Sequence, residues 1–145
     1  MKTKILLLLF TFLILAVSCS KNNPLDSSNS NNNKITIASY EGTYTGKAQY
    51  EVIPNGSQKE EDVSLIVNKD SAVNFKTSSK DFTFNNVVKT DDKNYNSTKT
   101  ESNSLLILSL IFDGNGNVNV SLIIQDTNSG TSEKYTANKL TKTAS

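Results

Sequence analysis

The chain has 145 residues, with fifteen lysines against fourteen acidic residues, neither arginine nor histidine, and a formal charge of +1. So even a balance leaves no electrostatic footprint for nucleic acid, and without guanidinium forks the chain lacks bidentate grips on phosphate. No histidine and a single cysteine exclude Cys/His zinc centres, Ser-His-Asp triads and Cys-His dyads.

The first element is an export signal. Lys2 and Lys4 open it, and an apolar run from Ile5 to Val17 follows, interrupted only by Thr11. At about 1.5 Å per residue the run spans about 20 Å, short of the roughly 30 Å of hydrocarbon in a bilayer. This predicts a signal peptide over 1–18 in place of a permanent membrane helix.

The run closes on Ala16-Val17-Ser18-Cys19, which resembles the lipobox of bacterial lipoproteins. That pattern prefers leucine where Ala16 stands; here Leu15 lies one position earlier. The resemblance implies cleavage before Cys19 and attachment of lipid to it. A lone cysteine in an exported chain has no disulfide partner, which fits that role. Diacylglycerol with an amide-linked acyl chain would bury far more methylenes than the single chain that anchors marginally. The expected address is the bacterial cell envelope, lipid-anchored to a membrane, with the outer membrane favoured. In many lipoproteins of the Bacteroidota an acidic cluster after the cysteine directs export to the cell surface. Ser20-Lys21-Asn22-Asn23 carries no acid before Asp26, which favours the periplasmic side.

Residues 19–34 are rich in Asn and Ser and nearly devoid of apolar side chains. Such a stretch cannot bury enough surface to offset its ordering entropy, so it is expected to be a flexible tether. A single folded domain follows over 35–145, long enough for one core and too short for two.

Its opening segment is the most informative. Tyr40, Gly42, Tyr44, Gly46, Ala48, Tyr50 and Val52 share one parity, and Glu41, Thr43, Thr45, Lys47, Gln49 and Glu51 share the other. That alternation predicts a long strand with one buried and one wet face. Glycines on the inner face suit a sheet that curls, and Pro54-Asn55-Gly56 ends the strand as a turn. Val63, Leu65 and Val67 predict a second strand, and Val73 and Phe75 a short third. Phe82 and Phe84 open a fourth running to about Lys89. Tyr95 to Thr100 reads as an exposed edge strand. Ser104 to Phe112 is apolar on both parities and predicts a strand covered on both faces. Val118, Val120, Leu122 and Ile124 form its partner, and a last strand runs around Glu133 to Leu140. About eight strands joined by short turns predict an all-β, antiparallel up-and-down barrel, with a β-sandwich as the alternative.

Tyr40-Glu41-Gly42-Thr43-Tyr44-Thr45-Gly46 resembles the first strand of the calycin-like or lipocalin-like lipoproteins of the Bacteroidota. The resemblance implies a barrel with room for an internal ligand and names no binding residues. The inner-face tyrosines Tyr40, Tyr44 and Tyr50 are the candidate ligand-facing residues, since rings with a polar tip suit a mostly apolar pocket. The competing reading is that they fill the core, as side chains fill most small barrels. Asp113-Gly114-Asn115-Gly116-Asn117 begins like a calcium loop but has Val118 where glycine is needed and Ile124 where glutamate is needed, so it reads as a hairpin turn. Glu60-Glu61-Asp62 reads as a solvated loop. Asp70-Ser71-Ala72 resembles the short O-glycosylation acceptor of the same bacteria.

The expected function is that of a non-enzymatic envelope lipoprotein, without metal or cofactor, whose barrel binds a small apolar or amphipathic ligand. The alternative is a structural or protein-interaction module of an envelope complex, with a packed barrel core. The anchor is directly testable. Cys19→Ala is expected to move the protein from the membrane fraction to the soluble fraction, and persistence in the membrane fraction would contradict lipidation.

Overall fold

The computed structural model describes residues 36–54 and 56–144. The predicted signal peptide, Cys19 and the tether lie outside the described residues. After one 3-10 turn at Ile37–Tyr40, nine strands are seen among the described residues. They are β1 Gly42–Ile53, β2 Lys59–Val67, β3 Val73–Lys76, β4 Asp81–Phe84, β5 Val88–Asp91, β6 Asn94–Glu101, β7 Ser104–Phe112, β8 Asn117–Asp126 and β9 Ser132–Lys142.

All pair antiparallel in one sheet ordered β4-β3-β2-β1-β9-β8-β7-β6-β5. Strands adjacent in the chain are adjacent in space, with one exception, and the first strand pairs the last. The exception is β4 and β5, which leave a seam. The result is a curled up-and-down half-barrel. The all-β antiparallel expectation therefore holds, and the sandwich alternative does not.

Period-two patterning explains why these segments pair as they do. In β1, Tyr44 and Ala48 are buried while Thr45, Lys47 and Gln49 face water. Val63, Leu65 and Val67 bring the inner face of β2 to the same interior, with Leu106, Leu108, Leu110 and Phe112 from β7 and Val118, Val120 and Leu122 from β8. A slip of one residue in any of these strands would turn its whole apolar set into solvent, so the pattern sets the register.

The closing pair β1–β9 carries an irregularity. Its register shifts between Thr45 and Gln49, and that of β8–β9 shifts between Val118 and Val120. One extra residue in β9 moves the inward parity from Tyr135 and Ala137 to Leu140. Gly46 passes this bulge closely. A Cβ there would meet the Leu140 side chain at 3.0 Å and the Lys139 carbonyl at 3.1 Å.

Three expectations need correction. The segment from Phe82 to Lys89 is two strands, β4 and β5, parted at residues 85–87. There the Asn86 carbonyl accepts a 2.7 Å hydrogen bond from Ser97 Oγ, and Lys99 Nζ donates to the Thr83 carbonyl at 2.6 Å. Side chains of β6 thus take the acceptors that a continuous strand would offer to a neighbour. Nor is β6 an exposed edge, because it pairs β5 and β7 and buries Tyr95 and Ser97. The third concerns β7, whose second face is not fully covered among the described residues. Leu105 and Ile107 are half-buried, and Ile111 is 51% exposed.

Phe112 stands at the centre of the aromatic part of the core, against Tyr40, Tyr44 and Tyr95. Phe112→Ala is expected to lower the unfolding free energy by about 3–5 kcal/mol through lost burial and a residual cavity. Urea unfolding would show this as a lower midpoint with an unchanged slope.

Candidate functional site

The two ends of the half-barrel are chemically unlike. At one end the 3-10 turn lays Tyr40 over the core, stacked on Phe112 with ring centroids 4.0 Å apart and edge-on to Tyr95 at 5.9 Å. Tyr44 is buried beneath and donates its hydroxyl proton to the Tyr40 carbonyl at 2.7 Å. Lys142 Nζ lies 5.9 Å from the Tyr44 ring centroid. Beside this plug is a hollow of about 250 Å³ lined by Tyr40, Tyr44, Phe112, Gly114, Gly116 and Lys142, among others.

The other end is charged. Register places Tyr50 opposite Lys59 on β2 and opposite Tyr135 on β9, and Val52 opposite Glu133. The rings of Tyr50 and Tyr135 lie 4.8 Å apart, with Phe75 edge-on to Tyr135 at 5.7 Å. Around them stand two ion pairs. Lys59 Nζ reaches Glu61 Oε1 at 2.5 Å and lies 5.0 Å from the Tyr50 centroid, while Lys80 pairs with Glu133. Glu61 Oε2 is buried and has no hydrogen-bond partner among the described residues. A buried acceptor left unmade costs about 1–3 kcal/mol, more when the group is charged.

The structure therefore brings Tyr40 and Tyr44 together, and Tyr50 lies at the opposite end of β1, in a different cluster. Tyr44 is part of the packed core, as are Tyr95 and Tyr135. Lys59, Glu61 and Glu133 were missed as site residues in the sequence. A signal was present: they continue the inward parity of Val63-Leu65-Val67 and of Tyr135, beyond the point where apolar residues stop.

The loop from Asp113 to Asn117 is a turn. Asp113 Oδ1 accepts from the backbone N–H groups of Asn115 at 2.6 Å and Asn117 at 3.0 Å, and Oδ2 accepts from Asn117 Nδ2 at 2.6 Å. These bonds, that from the Asn117 side chain foremost, hold the carboxyl below its usual 3.8. Glu60-Glu61-Asp62 is not a solvated loop but part of β2, where Glu60 meets Lys47 and Gln49 on the outer face while Glu61 points inward. Among the described residues no group of three His, Cys, Asp or Glu side chains could hold a metal ion. Ser71, in the predicted glycosylation motif, occupies a tight turn between β2 and β3 at φ 70.

The hydroxyls of the two clusters share one electrostatic feature. Burial pushes Tyr44, Tyr95 and Tyr135 above the ordinary 10.0, and the nearby Glu133 and Glu61 carboxylates add to the rise at Tyr135. Tyr50 is raised by burial and then by Glu133. A raised value means the folded chain holds protons that the unfolded chain has already released. The contribution to stability is full below about pH 10 and is lost as pH rises through the folded values. Alkaline titration is expected to show tyrosinate absorbance of these four groups rising together with loss of the β-sheet signal. Their ionisation near pH 10 with the fold intact would contradict this.

No protein-family model matches the chain, and comparison with curated proteins and with solved structures likewise finds no match.

Proposed function

We propose that this chain is a lipid-anchored, non-enzymatic protein of a bacterial cell envelope whose folded domain works through its surface as an interaction module. The anchor rests on the signal-like segment, the lipobox-like tetrapeptide at Cys19 and the Asn/Ser-rich tether. The placement favoured is the outer membrane, periplasmic side.

One observation carries the choice of an interaction module over a carrier. The interior of the half-barrel is occupied by its own side chains: Tyr44, Phe75, Phe84, Tyr95, Phe112 and Tyr135 are each at most 2% exposed. A carrier needs a cavity, commonly of about 300–1,000 Å³, lined by side chains that leave room for the ligand. The apolar side chains left over point outward. Leu105, Ile107 and Ile111 form the outer row of β7, and Ile107 pairs with Ile123 of β8. An apolar row on a wet sheet face is the kind of surface that marks protein contact.

A second reading, the binding of a small apolar or amphipathic ligand, has two hollows in its favour, of which one, of about 360 Å³, is lined by Ile37, Val87, Val88 and Tyr95, among others. The hollow of about 250 Å³ beside Tyr40 and Tyr44 combines aromatic faces with the Lys142 ammonium. It is smaller than most ligand pockets and lies at the rim.

Native mass spectrometry of the full chain, extracted from its own envelope, separates the two. The interaction reading predicts the bare protein or a protein–protein complex. It further predicts that Ile111→Asp dissolves the complex while changing stability by less than about 0.5 kcal/mol, as for most surface substitutions. A reproducible adduct of an apolar or amphipathic small molecule that carries no amine, released on denaturation, would overturn it in favour of a carrier.

A further inference from the structure

The charged end holds an acceptor for which the described residues supply no donor, and the unequal exposure of the ion pair beside it shows how the corner is built. The Glu61 side chain is 11% exposed, whereas that of its partner Lys59 is 58% exposed. The acid is built into the inner face and the cation is laid against it from solvent. Lys59 meets Glu61 through Oε1 alone, which leaves Oε2 buried without a partner. The same ammonium lies 5.0 Å from the Tyr50 centroid, within cation–π range. Tyr135 packs behind that ring and Phe75 behind Tyr135, both buried in the core. On the far side stands Glu133, held by Lys80, whose side chain is 35% exposed.

We propose that this corner is a binding site for an alkylammonium group, and that Lys59 occupies it when no ligand is present. An alkylammonium has three N–H donors and no acceptor. With Lys59 swung out to solvent it can meet Glu61 in its place and turn an N–H toward Oε2, and its methylenes can lie along the half-buried Tyr50 ring. A hard metal ion fits poorly, because it asks for several oxygen ligands and the walls here are aromatic faces. An anion would meet Glu61 and Glu133. The site is independent of the surface reading above, since it needs neither a protein partner nor an internal cavity.

The test is a titration of the full chain in detergent micelles at neutral pH with n-butylamine, followed by the ring resonances of Tyr50 and Tyr135. The expected result is a saturable shift of both rings, with none from n-butanol, which has the same carbon chain and no charge. Lys59→Ala removes the resident competitor from an exposed position and is expected to tighten binding about tenfold. Glu61→Gln, nearly isosteric, is expected to weaken it about tenfold or more through loss of the charged hydrogen bonds. Comparing 1,4-diaminobutane with N-acetyl-lysine amide separates the two sources of the group. The tighter binder identifies either a free amine or the lysine of a peptide as the natural form. No saturable shift in both the native chain and Lys59→Ala would overturn the proposal. So would an affinity unchanged by Glu61→Gln.

Discussion

The pairing of β1 with β9 is the constraint on which the rest of this structure depends. The other strand pairs join neighbours in the chain, through turns that need little closure entropy. β1–β9 alone joins the two ends of the domain. Without it the sheet would separate into a four-strand run from β4 to β1 and a five-strand run from β9 to β5. Each would show its apolar face to water. With it, Tyr44 from one run meets Phe112 from the other, and Phe75 meets Tyr135. The bulge in β9 and the bare Cα of Gly46 are how two strands of conflicting parity are made to fit at that closure.

A half-barrel filled in this way has little room for function inside, so chemistry moves to its ends and outer face. The ends are distinguished by which residues continue the inward rows. At one end the rows finish in rings, and the Tyr40 carbonyl anchors the buried Tyr44 hydroxyl. At the other the rows run on into Lys59, Glu61 and Glu133, where charged groups share the interior edge with aromatic faces. Strand addition concerns the two edges of the sheet, β4 and β5, and the seam between them is guarded. β5 is four residues long and its pairing with β6 is irregular, and Lys99 and Ser97 cap carbonyls of the β4 side.

Much of the fold was legible because period two is a strong signal where one face is wet. The first strand and the Val118–Ile124 strand read directly, as did the up-and-down order. The signal failed where apolar content and side-chain direction part company. Residues 82–89 keep strand-forming character through Val87 and Val88, yet the backbone breaks because β6 side chains take its acceptors. β6 looked exposed because its inward set is Tyr95, Ser97 and Lys99, of which one is aromatic and none aliphatic. The parity change in β9 comes from a bulge, which leaves no mark in composition. Of the site residues, Tyr44 is legible from the alternation of β1, whereas Tyr40, which shares its parity, lies in the 3-10 turn ahead of that strand. The inward acids become legible only when the parity of the β2 and β9 rows is extended past their last apolar residue.

Native-state hydrogen exchange tests the central claim most directly, since it reads the stability of each strand pair separately. The account predicts that amides of β1 and β9 at their shared ladder, around Tyr44–Thr45 and Tyr135–Thr136, exchange only through global unfolding. Those of β5 would exchange far faster. Exchange at the β1–β9 ladder as fast as in β5 would mean that the two runs of strands do not depend on this closure, and would contradict the account.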